Sequence, residues 1–245
     1  MFLNKINDKD HVWNKVGAEM IQTYGLINNI KTSHQEIYDF LHDDEFENET
    51  VDQQFEPEII NAAKAWNYIK IFVTKLRLNQ DINEKNIGDC TLEEIIKVYK
   101  YLDPNLTFVS TFIDTSKDHK NLLDYYKNMC SRIFKELSVE AVLEELALWH
   151  IRLSVEKALG CFTEVFSIMI VNGLLIYKNI APISFELRTW DIEDIIKVHH
   201  NLVDEVSNIP FTQWSNLPTF KYYLGLWIHN CESLSDASFE NKNFK

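Results

Sequence analysis

Glycine and proline are scarce in this sequence, with six and five copies among 245 residues. Tight hairpin turns depend on these two residue types, so their scarcity argues against a sheet-rich fold. Apolar residues instead recur every three or four positions along most of the chain, which is the spacing of an amphipathic helix. We therefore expect an all-α protein.

Basic residues are also few, because 24 Lys and Arg face 37 Asp and Glu and give a formal net charge of -13. Such a surface repels a phosphate backbone, so nucleic acid is excluded as the expected partner. The first residues show no basic head followed by an apolar run, and polar residues interrupt every longer apolar stretch. We expect no membrane contact and a cytoplasmic location, or delivery without a cleavable signal peptide.

Four cysteines lie far apart in the chain, without a CxxC pair or a Cys-His spacing typical of zinc sites. They are Cys90, Cys130, Cys161 and Cys231. We expect buried thiols rather than disulfides, and neither a metal nor a cofactor.

His199 and His200 are the one adjacent pair of histidines. Neighbouring side chains on a helix point about 100° apart and rarely converge on one ion. We therefore predict that His199 faces the core and that His200 faces solvent.

Capping signals mark the starts of several helices. Ser33 with Glu36, and Thr91 with Glu94, each form a capping box before an apolar run, and Ser138 is placed to cap another helix. From Glu58 onward one apolar stripe predicts a long helix that packs in the core, through Ile59, Ala63, Trp66, Ile69, Val73 and Leu76.

The segment 165–177 is apolar on all sides, which is typical of a central helix surrounded by others. Its thirteen residues are too few to span a bilayer. We predict a single helical domain over residues 1–232, in which helices within 10–42 pack on a core of about 58–205. Residues 233–245 are predicted to be a disordered tail.

The stretch 149–183 resembles the motif-bearing core of Fic-type nucleotidyl transferases, in which a loop with the pattern HxFx(D/E)GNGRxxR joins two helices. His150 falls on a histidine that often precedes that loop, and Asn172 on a frequent asparagine of the second helix. Residues 181–183 fall on the Pro-containing exit. The resemblance covers roughly residues 24–205, and it places a short β-hairpin flap at 108–113.

The same resemblance implies that every catalytic position of the Fic loop is vacant. The general-base histidine is replaced by Lys157, the metal-holding acid by Cys161, the phosphate-binding G-N-G turn by Phe162, Thr163 and Glu164, and the two arginines by Val165 and Ile168. Lys157 is a poor base near pH 7, and Glu164 adds like charge where phosphate would bind. We expect no Fic-type AMP transfer.

The function predicted from these observations is a catalytically inactive Fic-like protein that acts by binding a protein partner, as an adaptor, regulator or effector. Five residues are candidates for binding: His150, Glu156, Lys157, Glu164 and Trp214. The alternative is a Fic-fold enzyme whose transferase or other chemistry uses residues outside the lost motif. A third interpretation is an unrelated all-α scaffold. Whether the chain is an enzyme is left open, with inactivity favoured.

Overall fold

A computed structural model describes residues 10–44, 54–83, 92–113, 122–133, 138–183 and 189–240. Within these ranges the chain is almost entirely helical and contains no strand, which confirms the all-α prediction. The helices are α1 (Asp10–Ile27), α2 (His34–His42), α3 (Pro57–Asn83), α4 (Leu92–Leu102), α5 (Ser110–Ile113), α6 (Leu122–Ile133), α7 (Val139–Glu156), α8 (Thr163–Tyr177), α9 (Thr189–Val206) and α10 (Pro218–Glu240). Two 3-10 turns, Gly160–Phe162 and Phe211–Asn216, precede α8 and α10.

The chain divides into two compact units, where the sequence analysis predicts one domain over residues 1–232. The N-terminal unit comprises residues 4–109 and 165–179. The C-terminal unit comprises residues 1–3, 110–164 and 180–245. The division follows which helices pack together, and such long-range packing cannot be read from composition.

In the N-terminal unit, α1 packs against α2 and α3, and α3 packs against α4. The indole N–H of Trp66 donates to the backbone oxygen of Trp13, and the two rings lie 4.9 Å apart. Gly17 lets α1 approach this pair, because a Cβ at that position would lie 2.4 Å from the Trp66 ring. The predicted stripe on α3 is buried from Ile59 to Val73.

Two of the predicted helix starts are confirmed. Ser33 and Glu36 form the reciprocal capping box of α2, and the Ser138 hydroxyl accepts from the Ala141 N–H at the start of α7. Each cap satisfies a backbone donor that has no partner within the helix. Thr91 lies outside the described residues.

The predicted β-hairpin flap at 108–113 is wrong, because residues 110–113 form the helical turn α5. The preceding loop folds around Asp103, whose carboxylate accepts from the N–H groups of Asn105 and Thr107. The Phe108 N–H donates to the Tyr99 hydroxyl. These backbone donors are bonded within a turn and are therefore withheld from a strand ladder.

The C-terminal tail also differs from the prediction, since α10 continues to Glu240. Residues 233–240, predicted to be disordered, carry neither Gly nor Pro to end the helix. Residues 241–245 lie outside the described part of the chain.

Helix α8 is buried along its length, as predicted for a central helix, with Val165, Phe166, Met169 and Leu175 at most 3% exposed. The window Gly160–Tyr177 is long and apolar enough to cross a membrane by length and composition alone, and 72% of it is buried within the structure. A core helix of a water-soluble protein passes the same test.

In the C-terminal unit, α7 is the central element and packs against α6, α9 and α10, while α9 also packs against α10. Its buried face includes Val142, Leu146, Trp149, His150 and Leu153. This packing brings one face of α7 against one face of α9, and each of those faces carries a histidine.

Candidate functional site

Two histidines and a glutamate converge in the C-terminal unit. His150 lies on α7, Glu164 in the first turn of α8, and His199 on α9. The Oε2 atom of Glu164 is 3.5 Å from His150 Nε2 and 3.1 Å from His199 Nε2. One ligand-capable atom from each residue lies within 4.8 Å of the other two. We call these three residues the histidine–glutamate cluster.

The cluster is buried on the histidine side and open on the glutamate side. His150 is 5% exposed and His199 is 6% exposed. The Glu164 side chain, in contrast, retains 44% of its exposure. Solvent therefore reaches the cluster along the carboxylate.

Neither ring nitrogen of His199 has a hydrogen-bond partner, although both are buried. Its Nε2 lies close to Glu164, but not in the alignment that a hydrogen bond requires. Buried polar atoms are nearly always satisfied, and each exception needs a physical reason such as a missing ion or water. The prediction that His199 faces the core and His200 faces solvent is confirmed, but the buried ring is not satisfied there.

Aromatic rings of α10 pack around the two histidines. The His150 and Trp227 ring centroids are 5.7 Å apart, and those of His199 and Tyr223 are 5.8 Å apart. The two imidazoles themselves lie 4.9 Å apart. Burial raises the pKa of the Tyr223 hydroxyl, so the phenol stays protonated. This wall limits the rotation of both imidazoles.

The surroundings keep His150 neutral and Glu164 ionised near neutral pH. Burial lowers the pKa of His150 to about 4, against the opposing charge of Glu164. Burial alone would raise the pKa of the Glu164 carboxyl, yet the adjoining imidazoles of His199 and His150 and the Ser154 hydroxyl lower it to about 2. A neutral imidazole and an ionised carboxylate are the forms that bind metal cations.

The spacing of the three ligand atoms suits a single metal ion. Bonds of about 2.0–2.1 Å in a tetrahedral site hold neighbouring ligand atoms about 3.3 Å apart. The two distances to Glu164, 3.5 and 3.1 Å, bracket that value. Two imidazoles and one carboxylate also form the ligand set of several catalytic zinc and iron centres.

The remaining vacated positions of the Fic-like loop serve the local fold. Lys157 is exposed and ends α7 in the left-handed conformation, with φ of 46°. Cys161 is exposed in the 3-10 turn before α8. The buried Thr163 hydroxyl accepts from the Leu159 N–H and donates to the Gly160 oxygen, which closes the turn. Val165 is buried and Ile168 half-buried on α8.

Two predicted binding residues do not join the histidine–glutamate cluster. Glu156 is exposed and pairs with Arg152 at 3.2 Å. Trp214, predicted as an exposed anchor for a partner, is instead 5% exposed. Its indole N–H donates to the Ile209 oxygen and its ring packs against Phe211 at 5.0 Å, so the 3-10 turn folds over the ring.

His150 and Glu164 are thus brought together among the five predicted binding residues, and His199 is the member that sequence reasoning assigned to packing. The sequence does contain one signal for it, because a histidine on the apolar face of α9 points inward. The carboxylate that it meets lies on another helix. That meeting depends on the tertiary fold.

No known protein family, curated protein or solved structure matches this chain. The resemblance to the Fic core stays a prediction.

Proposed function

We propose that this protein binds a divalent transition-metal ion through His150, Glu164 and His199. The observation that carries the proposal is the buried His199 ring, which has no hydrogen-bond partner on either nitrogen and lies beside an ionised carboxylate. A bound ion would give one of these nitrogens the partner that the fold does not provide.

The ligand chemistry favours zinc or a similar ion over magnesium or calcium. Imidazole nitrogens suit zinc, iron, nickel and copper, whereas magnesium and calcium prefer oxygen ligands throughout. Two of the three ligands here are nitrogens, and they belong to buried rings whose positions are set by helix packing. We therefore choose zinc as the first ion to test.

The fold also holds the ligands before any metal arrives. The aromatic wall of Trp227 and Tyr223 supports the two imidazoles, and the Ser154 hydroxyl lies within hydrogen-bond reach of Glu164. Groups behind the ligands commonly orient them and strengthen metal affinity by about 10- to 100-fold. The histidine–glutamate cluster therefore has the support that a metal site requires.

The test is calorimetric titration of the chelator-treated full-length protein with zinc, with cobalt absorption spectra to report the geometry. We expect binding of a single ion and cobalt bands typical of low coordination. Glu164→Gln keeps the side-chain size but removes the charge, so affinity should fall by about tenfold or more. Glu205→Gln makes the same change at an exposed position of α9 and should bind as the wild type does.

His199→Gln and His200→Gln form a second matched pair, because they change neighbouring residues of which only the first is buried. Loss of affinity in His199→Gln alone would support the site. Equal affinity in all four variants, or no zinc binding by the wild type, would overturn the proposal. The predicted role in binding a protein partner stays a prediction.

A further inference from the structure

The histidine–glutamate cluster supplies three protein ligands, and zinc normally takes four. Among the described residues, no other His, Cys, Asp or Glu joins the cluster. Structural zinc sites are closed by four side chains, whereas catalytic sites keep one position for water. The number of ligands here is that of a catalytic site.

The direction of the open position follows from the burial of the ligands. Both imidazoles are buried against α10, while the Glu164 side chain is 44% exposed. A water bound to the ion would therefore lie on the glutamate side, where solvent and a small substrate can enter.

We propose that the ion bound by this cluster activates that water to hydrolyse uncharged carboxylic esters, an inference that rests on the proposed metal site. A bound metal lowers the pKa of its water from 15.7 to about 7, so that hydroxide is present near neutral pH. The hydroxide oxygen forms a bond to the ester carbonyl carbon. The bond to the alcohol oxygen then breaks, and the alcohol leaves with a proton that derives from the water. Water is the only co-reactant.

Charge selects an uncharged ester over a phosphate ester. The chain carries a formal net charge of -13, and the open side of the cluster is marked by the Glu164 carboxylate. Both features repel an anionic substrate on approach. With neutral imidazoles and one carboxylate, a divalent ion keeps a single positive charge to polarise a carbonyl oxygen.

The experiment compares 4-nitrophenyl acetate with 4-nitrophenyl phosphate on the zinc-loaded full-length protein, followed by the absorbance of released 4-nitrophenolate. We expect sustained release of more than one equivalent per protein from the acetate. The rate should be at least about tenfold above that of the chelated protein and of buffer with the same zinc concentration. Turnover of the phosphate should be slower than that of the acetate.

Glu164→Gln should lose the acetate activity at zinc concentrations that load the wild type, and Glu205→Gln should retain it. Zinc binding without turnover above the chelated protein would overturn the hydrolytic inference and leave the metal site in place. Failure to bind zinc would overturn both. Faster hydrolysis of the phosphate than of the acetate would overturn the substrate class.

Discussion

Two buried polar groups of this protein, one in each unit, are treated very differently by their surroundings. In the N-terminal unit, Asp103 is 3% exposed and accepts from the Tyr99 hydroxyl and from the N–H groups of Asn105 and Thr107. In the C-terminal unit, His199 is 6% exposed and has no hydrogen-bond partner.

The difference separates a structural role from a binding role. Burying a polar group costs free energy unless hydrogen bonds replace those lost with water. Asp103 recovers this cost within the chain and holds a turn in place. His199 recovers little of it, so a ligand that coordinates the ring would gain binding energy without breaking an internal bond. Asp103 should therefore govern stability, and His199 should govern metal affinity.

Asp103→Ala should cause the largest loss of stability. It leaves the three donors that Asp103 satisfies without their acceptor, and we expect the free energy of unfolding to fall by about 3 kcal/mol. Urea denaturation followed by circular dichroism measures this change. Asp204→Ala, at an exposed position of α9, is the control and should change stability little. A similar small effect for Asp103→Ala would remove the contrast.

His199→Gln should show the opposite pattern. We expect zinc affinity to fall by about tenfold or more, while the free energy of unfolding without zinc changes by less than about 1 kcal/mol, because no hydrogen bond is lost. Calorimetry and urea denaturation on the same preparation measure both quantities. A large loss of stability with unchanged affinity would assign His199 to the core alone.

The pH dependence of stability should report Asp103. Burial would raise the pKa of its carboxyl, but the hydrogen bonds from Tyr99, Thr107 and Asn105 lower it below the ordinary value of 3.8. The folded state therefore binds the proton less readily than the unfolded state. The stabilisation is complete above pH 3.8 and is lost as the pH falls through the lower folded pKa.

Asp103→Asn cannot titrate at this position, so it should flatten the fall in stability below about pH 4 relative to the wild type. Denaturation midpoints between about pH 2 and pH 6 measure this difference. Parallel curves for the two proteins would mean that Asp103 does not contribute to the acid transition.

Ser154→Ala should cause the smallest change. The Ser154 hydroxyl donates to the His150 oxygen at 3.0 Å and lies within hydrogen-bond reach of Glu164. Its removal loosens the carboxylate but leaves all three ligands, so zinc affinity should fall by about three- to tenfold. Calorimetry against Ser207→Ala, a serine that makes the same kind of backbone bond at an exposed position, isolates the effect. Unchanged affinity would show that Ser154 does not position Glu164.

Local features of the fold could be predicted because their causes are local. The capping box of Ser33 and Glu36, the cap at Ser138 and the buried stripe on α3 all follow from residues a few positions apart. The β-hairpin flap was wrong because it was carried over from the Fic resemblance. The bonds around Asp103 favour a turn and the helical α5 instead.

The candidate site was only half predictable. His150 and Glu164 were selected because they lie near the vacated Fic-like loop, and His199 was correctly placed facing inward. Nothing in the spacing of these residues indicates that they meet, since each lies on a different helix. Trp214 was selected by residue type, and the fold buries it against Phe211.

The amino-acid sequence by itself determined the helical class, the helix caps and the faces that turn inward, because periodicity and capping act over a few residues. Only the tertiary structure decided which of the eight histidines meet a carboxylate and which buried polar groups are left without a partner. The physical reason is that the packing of α7 against α9 sets those distances, and that packing depends on many apolar contacts between segments distant in the chain.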